Sequence, residues 1–209
     1  GLTAPASKTY DGTTTATVSG TASLKTASVP GAGNSTDGKP YAGDLLTLSG
    51  SPVGTYNSKD VATASSIAFT GMTMSGPSTG NYTLSSYAPY AATITPKDLT
   101  VKANNDANFF AIPTDTLGFN GVSYLGFVTG ESTANLSFTS GTAPTITSSL
   151  SASQRSTPGT YTNVLTPSGI NSGNYHPVYQ SGDFTVIPAD TLLIRAGNST
   201  VAYGTSASI

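Results

Sequence analysis

One eight-residue pattern, Ser-Gly-x-x-x-Gly-Asn-Tyr, occurs twice in this chain at a spacing of 93 residues, over 75–82 and 168–175. The similarity continues downstream, where "YAATITPKDLTVKAN" at 90–104 is matched by "GDFTVIPADTLLIRAGN" at 182–198. Upstream, the spacing of the two "GTY" triplets rises to 105 residues, which indicates loops of different length. A repeat of this kind predicts two units of one architecture.

The repeat places domain boundaries at the two prolines that end the matched segments. We predict one unit over 1–96, a second over 97–188, and the first strand or strands of a truncated third repeat over 189–209. Units of about 93 residues have the size of an immunoglobulin-like sandwich rather than of a solenoid repeat. The junctions Pro96-Lys97 and Pro188-Ala189 are short, and proline restricts the backbone, so we expect little bending there.

The composition is that of an all-β protein. Serine and threonine make up 64 of 209 residues and charged residues only 9%, and β-branched threonine suits a half-exposed pleated surface. The net charge of −2 gives no electrostatic footprint for nucleic acid or anionic lipid. No apolar run approaches the length of a transmembrane helix. The start, "GLTAPASKTYDG", has neither Met nor a signal-peptide pattern, so we take the chain as a piece of a longer protein.

Short strand-like runs between Gly, Pro and Asn clusters predict tandem immunoglobulin-like β-sandwich domains arranged end to end. The predicted strands of the first unit are 13–20, 44–50, 66–76, 81–87 and 90–96. Those of the second unit are 98–104, 122–128, 134–141, 160–169 and 183–188. No stretch holds helical periodicity for three turns, and 148–156 is the best helical candidate.

The repeated tyrosines, Tyr82 and Tyr175, come just before the last two predicted strands of each unit. In immunoglobulin-like sandwiches a tyrosine at this place hydrogen-bonds the preceding loop, an arrangement called the tyrosine corner. The preceding Gly-Asn pairs can take the positive φ that a tight corner needs. We therefore interpret the motif as a structural corner that sets the register of the last hairpin. A ligand-binding role for the same tyrosines is the alternative.

The first unit resembles the YDG domain, which is named for its Tyr-Asp-Gly motif. The motif stands here as Tyr10-Asp11-Gly12 in "SKTYDGTTTATVSG", followed by "KDVAT" and "SGPSTGNYTLSSYAPYAATITPKDLTV". The second unit is similar to the mostly-β MBG repeats, although Phe109-Phe110 stands where Tyr-Gly is usual; "VAYGTSA" near the end restores that pattern. The resemblance implies tandem repeats of a very large secreted bacterial surface protein, such as a filamentous-haemagglutinin-like adhesin exported by two-partner secretion. It implies no catalytic residues.

The chain offers little catalytic chemistry. His176 is the single histidine and there is no cysteine, which excludes a His/Cys zinc site within the chain. A Ser-His-Asp triad would need His176 and would lack a Gly-x-Ser-x-Gly elbow. The nine aspartates and the single Glu131 are scattered, and no phosphate-binding loop occurs. We predict that the protein is not an enzyme, and we name no catalytic, cofactor-binding or metal-binding residues.

Three features of the sequence have an alternative, chemical interpretation: a calcium site, a covalent crosslink and glycosylation. The segment "NNDAN" at 104–108 offers oxygen ligands for Ca²⁺ at a domain junction, but such runs are also ordinary turns. A Lys–Asn isopeptide crosslink would need a buried acid, and Glu131 is the only glutamate. The four Asn-x-Ser/Thr sequons are what chance gives in so hydroxyl-rich a chain. They stand at Asn34, Asn81, Asn135 and Asn198.

We expect a structural stalk or repeat segment of an extracellular bacterial adhesin, which spaces or supports an adhesive tip and self-associates through weakly protected strand edges. Its partners would be other repeats of the same parent chain. The alternative is a module that binds a glycan or a host protein through end loops and exposed tyrosines. The candidates are Tyr41, Tyr87, Tyr90 and Tyr179, and several of them on one exposed face would favour this alternative.

Overall fold

The computed structural model describes residues 1–33, 36–85, 88–109 and 119–188. The described part is almost entirely β, with short strands in several sheets. This confirms the predicted all-β class and agrees with a sandwich-type fold, while the immunoglobulin-like topology stays a prediction. The predicted third repeat, 189–209, lies outside the described residues. The chain divides into two compact units.

Unit 1 comprises residues 1–98 together with two short later segments, 128–131 and 172–176. A four-stranded antiparallel sheet has the order β2-β3-β4-β5, and β1 and β6 form a separate pair. A 3₁₀ turn follows β4 at Thr79–Asn81. The strands are β1 (Ser7–Thr9), β2 (Thr15–Ala16), β3 (Thr47–Tyr56), β4 (Ser66–Ser75), β5 (Tyr90–Ala91) and β6 (Thr93–Thr95).

The long β3–β4 hairpin carries much of the core of unit 1. Tyr56, Ile67 and Phe69 are buried, whereas their neighbours along each strand are mostly exposed or half-exposed. This alternation is expected for strands that are covered on one face. The register of the hairpin shifts between Gly50 and Val53, which marks a β-bulge.

The first and last strands of unit 1 run side by side in the same direction. β1 pairs with β6 in parallel, with Ser7 opposite Thr93 and Thr9 opposite Thr95. The ladder continues for one more hydrogen bond, from Tyr10 N to the carbonyl oxygen of Thr95 at 2.8 Å. The beginning of the unit is therefore held directly by its end.

Unit 2 comprises residues 99–127, 132–171 and the chain from 177 onward. A 3₁₀ turn lies at Thr133–Asn135, and one helical turn, α1, spans Ala152–Arg155. Two strands begin in unit 1: the first two residues of β7 (97–98) and of β14 (175–176) belong to that unit. The strands are β7 (Lys97–Ala103), β8 (Asp106–Phe109), β9 (Val122–Leu125), β10 (Ser137–Phe138), β11 (Thr145–Ser148), β12 (Gly159–Ser168), β13 (Ile170–Asn171), β14 (Tyr175–Gln180) and β15 (Gly182–Ile187).

The sheets of unit 2 have the orders β11-β12-β15-β8 and β14-β7-β9, with β10 and β13 as a separate antiparallel pair. Strand β15 alternates between buried and half-buried residues, and its Phe184 and Val186 pack with Leu165 in the core. Strand β8 pairs with β15 in parallel, with Phe109 opposite Ile187. Each unit thus pairs an early strand in parallel with its last described strand.

The structure corrects the strand predicted at 81–87. Over residues 81–85 the chain leaves the 3₁₀ turn and forms no ladder, while 86–87 lie outside the described residues. The interpretation of 104–108 as a plain loop is also wrong from Asp106 onward, because β8 begins there. The helical candidate at 148–156 is confirmed as α1, which is capped by a reciprocal Ser151–Gln154 box.

The positive φ predicted for the Gly-Asn pairs at 80–81 and 173–174 is wrong. Positive φ occurs instead at the first glycine of each repeated pattern, at 123° for Gly76 and 88° for Gly169. A Cβ added at Gly76 would lie 2.3 Å from the carbonyl oxygen of Leu45, so only glycine fits. The Gly-Asn pair at 80–81 lies in a 3₁₀ turn, which needs negative φ.

Candidate functional site: two tyrosine corners

The Tyr-Asp-Gly motif forms a tight turn directly after β1. Asp11 Oδ1 accepts hydrogen bonds from Thr13 N at 2.9 Å and from Lys8 Nζ at 2.7 Å. Lys8 also donates to the carbonyl oxygens of Thr13 and Thr15, and its Nζ lies 5.3 Å from the centroid of the Tyr56 ring. Burial by itself raises the pKa of Asp11, but the hydrogen bonds from Lys8 and Thr13 lower it below its usual value. The two charges therefore hold the turn in place.

Gly12 completes the turn with a φ of 77°. A Cβ added there would lie 3.0 Å from Val128 Cγ1, which also belongs to unit 1. An L-residue is disfavoured at this position both by the left-handed backbone and by the lack of space. The glycine of the motif thus follows from local geometry.

Tyr10 enters a compact polar cluster inside unit 1. Tyr10 and Tyr175 are 1% and 2% exposed, and their rings meet edge to face with centroids 5.6 Å apart. Both hydroxyls donate to one carboxylate, Tyr10 to Glu131 Oε1 at 2.5 Å and Tyr175 to Glu131 Oε2. The Tyr175 hydroxyl accepts from Val128 N at 3.0 Å, and Glu131 N donates to the Val128 carbonyl at 2.9 Å. We call Val128, Glu131 and Tyr175 the closed corner.

The phenols of the closed corner stay protonated well above neutral pH. Burial, and then the hydrogen bond to Glu131, raise the pKa of Tyr175 to about 12. The same two causes raise the pKa of Tyr10, with Lys59 acting in the opposite sense. Lys59 Nζ lies 3.5 Å from the Tyr10 hydroxyl and 5.8 Å from the ring centroid. The Glu131 carboxylate therefore keeps two hydroxyl donors at neutral pH.

Asn174, which precedes the corner tyrosine, bonds the loop after β3. Its Oδ1 accepts from Val61 N at 2.9 Å, and its Nδ2 donates to Asp60 Oδ1 at 2.8 Å. Lys59 Nζ lies 3.1 Å from the same Asp60 oxygen. The hydrogen bonds from Asn174 and then Lys59 lower the pKa of Asp60. In the second copy of the motif, both Asn174 and Tyr175 thus have a structural task.

Tyr82 repeats this arrangement with an earlier turn of unit 1. Its hydroxyl accepts from Tyr41 N at 2.8 Å and donates to the carboxylate of Asp44. Asp44 N donates to the Tyr41 carbonyl at 3.2 Å. The hydrogen bond to Asp44 is the main cause of a raised pKa at Tyr82. We call Tyr41, Asp44 and Tyr82 the open corner, because Tyr82 is half-exposed.

Each tyrosine hydroxyl bonds a turn 41 or 47 residues upstream rather than the loop directly before it. These bonds agree with a structural role for the repeated tyrosines, while the setting of the last hairpin's register stays a prediction. In both corners, the acid stands three residues after the residue whose N–H binds the tyrosine: Asp44 after Tyr41, and Glu131 after Val128. The sequence reasoning did not predict the two acids. Neither acid lies within the matched segments of the repeat, so no sequence pattern pointed to them.

The described candidates among the four binding tyrosines are divided between the two units. Tyr41 is 39% and Tyr179 37% exposed, but the first belongs to unit 1 and the second to unit 2. The Tyr90 ring packs near Phe69, with centroids 6.3 Å apart, and Tyr87 lies outside the described residues. Among these candidates, each unit therefore has one exposed tyrosine in the described ranges.

His176 and the segment 104–108 make ordinary polar contacts. His176 Nδ1 lies 3.0 Å from Asp98 Oδ1, and both side chains are exposed. Asn104 Nδ2 donates to a backbone carbonyl at 2.8 Å, and Asn105 Oδ1 accepts from a backbone N–H at 2.9 Å. In the part of the chain that the structure describes, no three His, Cys, Asp or Glu side chains cluster so as to hold a metal ion. Calcium binding at 104–108 stays an alternative interpretation.

The crosslink and glycosylation at the sequons also stay alternatives that the sequence analysis did not favour. Lys59 and Asn174 share Asp60 as a partner, but the hydrogen bond to Asp60 raises the pKa of Lys59, whereas crosslink formation needs a neutral amine. Asn81 and Asn135 are exposed. The other two sequon asparagines lie outside the described residues.

Unit 2 has an open cavity that the sequence reasoning missed. Its volume is about 330 Å³, and its walls include the rings of Tyr124, Phe138 and Pro144 with the threonines Thr133 and Thr142. Burial raises the pKa of Tyr124. None of the described residues that line this cavity is charged. These residues come from three separate segments, and none of those segments carries a recognisable binding motif.

No helix within 1–33, 36–85, 88–109 or 119–188 has both the length and the hydropathy needed to span a membrane.

Residues 1–93 match the family model of the YDG domain, and residues 99–185 match that of the MBG domain of the YGX type. These matches confirm the predicted domains in the predicted order. No curated protein and no solved structure matches the chain.

Proposed function

We propose that this chain is a load-bearing structural segment of a bacterial adhesin, located at the cell surface or secreted, which spaces or supports an adhesive tip. The YDG and MBG matches support a β-rich repeat or adhesin-like region. Other repeats of the same parent chain are its proposed partners, and like segments self-associate. The role requires no catalysis, no cofactor, no nucleic acid and no membrane insertion.

The observation that carries this proposal is the parallel pairing of β1 with β6. Tension applied to the two ends of unit 1 pulls these strands in opposite directions along their length. Ladder hydrogen bonds lie across the strands, so such a pull loads several of them together. A hairpin pulled at its open end loads its bonds one pair at a time. The arrangement therefore suits a chain that transmits force.

A binding module is the second candidate, and the cavity in unit 2 favours it. Its volume of about 330 Å³ is at the lower end for small-ligand sites. Aromatic rings beside uncharged hydroxyls, as at Tyr124 and Thr133, suit a neutral sugar better than an ionic ligand. Under this candidate the chain itself holds a glycan or a host protein.

Capture of coated beads distinguishes the two candidates. Beads that carry the full chain are tested against host cells, a glycan array and like-coated beads, with calcium and with chelator. The structural proposal expects no saturable capture by cells or glycans, and capture of like-coated beads alone agrees with self-association. Saturable glycan capture that is lost in Tyr124→Ala would overturn it in favour of the binding module. The matched control is Leu125→Ala, an exposed residue of the same strand that is not among the residues lining the cavity.

A further inference from the structure

The closed corner shows which further groups hydrogen-bond to a tyrosine corner of this protein. Beyond its own three residues it receives the Tyr10 hydroxyl on the second carboxylate oxygen of Glu131. Its neighbouring Asn174 receives Val61 N and binds the Asp60 carboxylate. These contacts come from two places in residues 1–98, the Tyr-Asp-Gly turn and the loop that contains "KDV".

The open corner has the same groups without these contacts. One oxygen of Asp44 receives the Tyr82 hydroxyl, and no described residue donates to the other. The side chain of Asn81, the counterpart of Asn174, is exposed and hydrogen-bonds none of the described residues. A carboxylate oxygen, an amide oxygen and an amide N–H thus remain available at the position where the closed corner is filled.

We propose that the open corner binds a second unit of the YDG type. The tyrosine hydroxyl of that unit donates to Asp44, and the backbone N–H and carboxylate of its Asp-Val loop bond the Asn81 side chain. The inference rests on the proposed function in one respect, since an array of repeats supplies such a unit. A second copy of this chain is a poor donor, because its own Tyr10 is 1% exposed and already bonded to Glu131.

A fusion protein supplies the partner in a defined place. An additional copy of residues 1–97 is joined directly to Gly1 of the full chain. The junction then reads Lys97-Gly1-Leu2-Thr3, which matches Lys97-Asp98-Leu99-Thr100 of the natural sequence with one substitution. The Asn81 side-chain amide and the Tyr41 backbone amide of the full chain are followed by NMR in the fusion and in the unfused chain.

The proposal expects a shift of the Asn81 side-chain signals and roughly tenfold slower hydrogen exchange at the Tyr41 amide in the fusion. Both changes should disappear when Tyr10→Phe and Asp60→Ala are introduced in the added copy only. Lys25→Ala in the added copy is the matched control and should leave them in place. A cyclic peptide of residues 6–15, added in trans at millimolar concentration, is a second route. It carries Tyr10 but not the Asp-Val loop, so it should give a saturable shift of the Tyr41 amide beside Asp44.

Dispersed β3 and β4 amide signals from the added copy report that it is folded. Unchanged Asn81 and Tyr41 signals in such a fusion, together with an unchanged Tyr41 amide in the peptide titration, would overturn the proposal. Changes that persist with Tyr10→Phe and Asp60→Ala in the added copy would also overturn it, because contact would then not use these groups. Bead capture and pulling experiments test the structural role of the chain and do not report on the open corner. Failure of one claim is therefore distinguishable from failure of the other.

Discussion

Replacing Glu131 with alanine is expected to destabilise unit 1 strongly. Its carboxylate accepts hydrogen bonds from Tyr10 and Tyr175, which are 1% and 2% exposed. Without it two buried hydroxyls lose their acceptor, at about 1–3 kcal/mol for each, so the free energy of unfolding should fall by about 2–6 kcal/mol. Asp44→Ala is the matched control. Because Tyr82 is half-exposed and water can replace the acid, that cost should be only about 0.5–1.5 kcal/mol.

Urea unfolding followed by circular dichroism gives the two free energies, since the chain has no tryptophan for fluorescence. Native-state hydrogen exchange assigns the loss to unit 1, where amides of β3 and β4 should lose protection. A double-mutant cycle with Tyr10→Phe separates the shared hydrogen bond from the loss of packing. Equal costs for Glu131→Ala and Asp44→Ala would refute the reasoning, because burial of the two phenols would then have no energetic consequence.

Three further predictions concern unit 1. The pKa of Tyr175 is raised to about 12, so the stabilisation that its neutral hydroxyl gives unit 1 is complete below pH 10 and is lost as the pH rises through 12. The free energy of unfolding should fall by about 3 kcal/mol over this range, and a series of unfolding measurements at alkaline pH should show no such fall for Tyr175→Phe. Gly12→Ala should cost about 1–2 kcal/mol more than Gly31→Ala in thermal unfolding, because both have a φ near 78° but only Gly12 lacks space for a Cβ; equal costs would contradict this. The pKa of Asp11 is lowered, so its contribution is present above pH 4 and fades as pH falls below it; Asp11→Ala should cost about 1 kcal/mol at pH 7, and a cost that persists unchanged at pH 2 would count against the Lys8 contact.

The parts of the fold that sequence reasoning predicted are those with a repeated or local signal. The corner role of Tyr82 and Tyr175 follows from the repeated motif, and β4 and β15 follow from alternating apolar residues. Strand β8 was missed because "NNDANF" is polar and reads as a turn. Its pairing with β15 depends on residues about eighty positions away, which a local pattern does not carry.

The composition of the closed corner could not be read from the sequence. Glu131 lies 121 residues from Tyr10 and 44 from Tyr175, and no periodicity relates the three. The positive φ was assigned to the Gly-Asn pairs because Asn and Gly tolerate it, but the structure has it at Gly76, where contact with the Leu45 carbonyl decides. Long-range packing thus determines which glycine of a motif needs the special backbone.

Single-molecule pulling tests the load-bearing role most directly. Because the chain has no cysteine, introduced cysteines define the attachment points: Gly1→Cys with Asp98→Cys pulls unit 1 between its ends, and Thr47→Cys with Ser75→Cys pulls the β3–β4 hairpin at its open end. The account predicts a clearly higher rupture force between the ends, where the β1–β6 ladder is loaded in shear. A rupture force between the ends that is equal to or lower than that of the hairpin would contradict the load-bearing proposal.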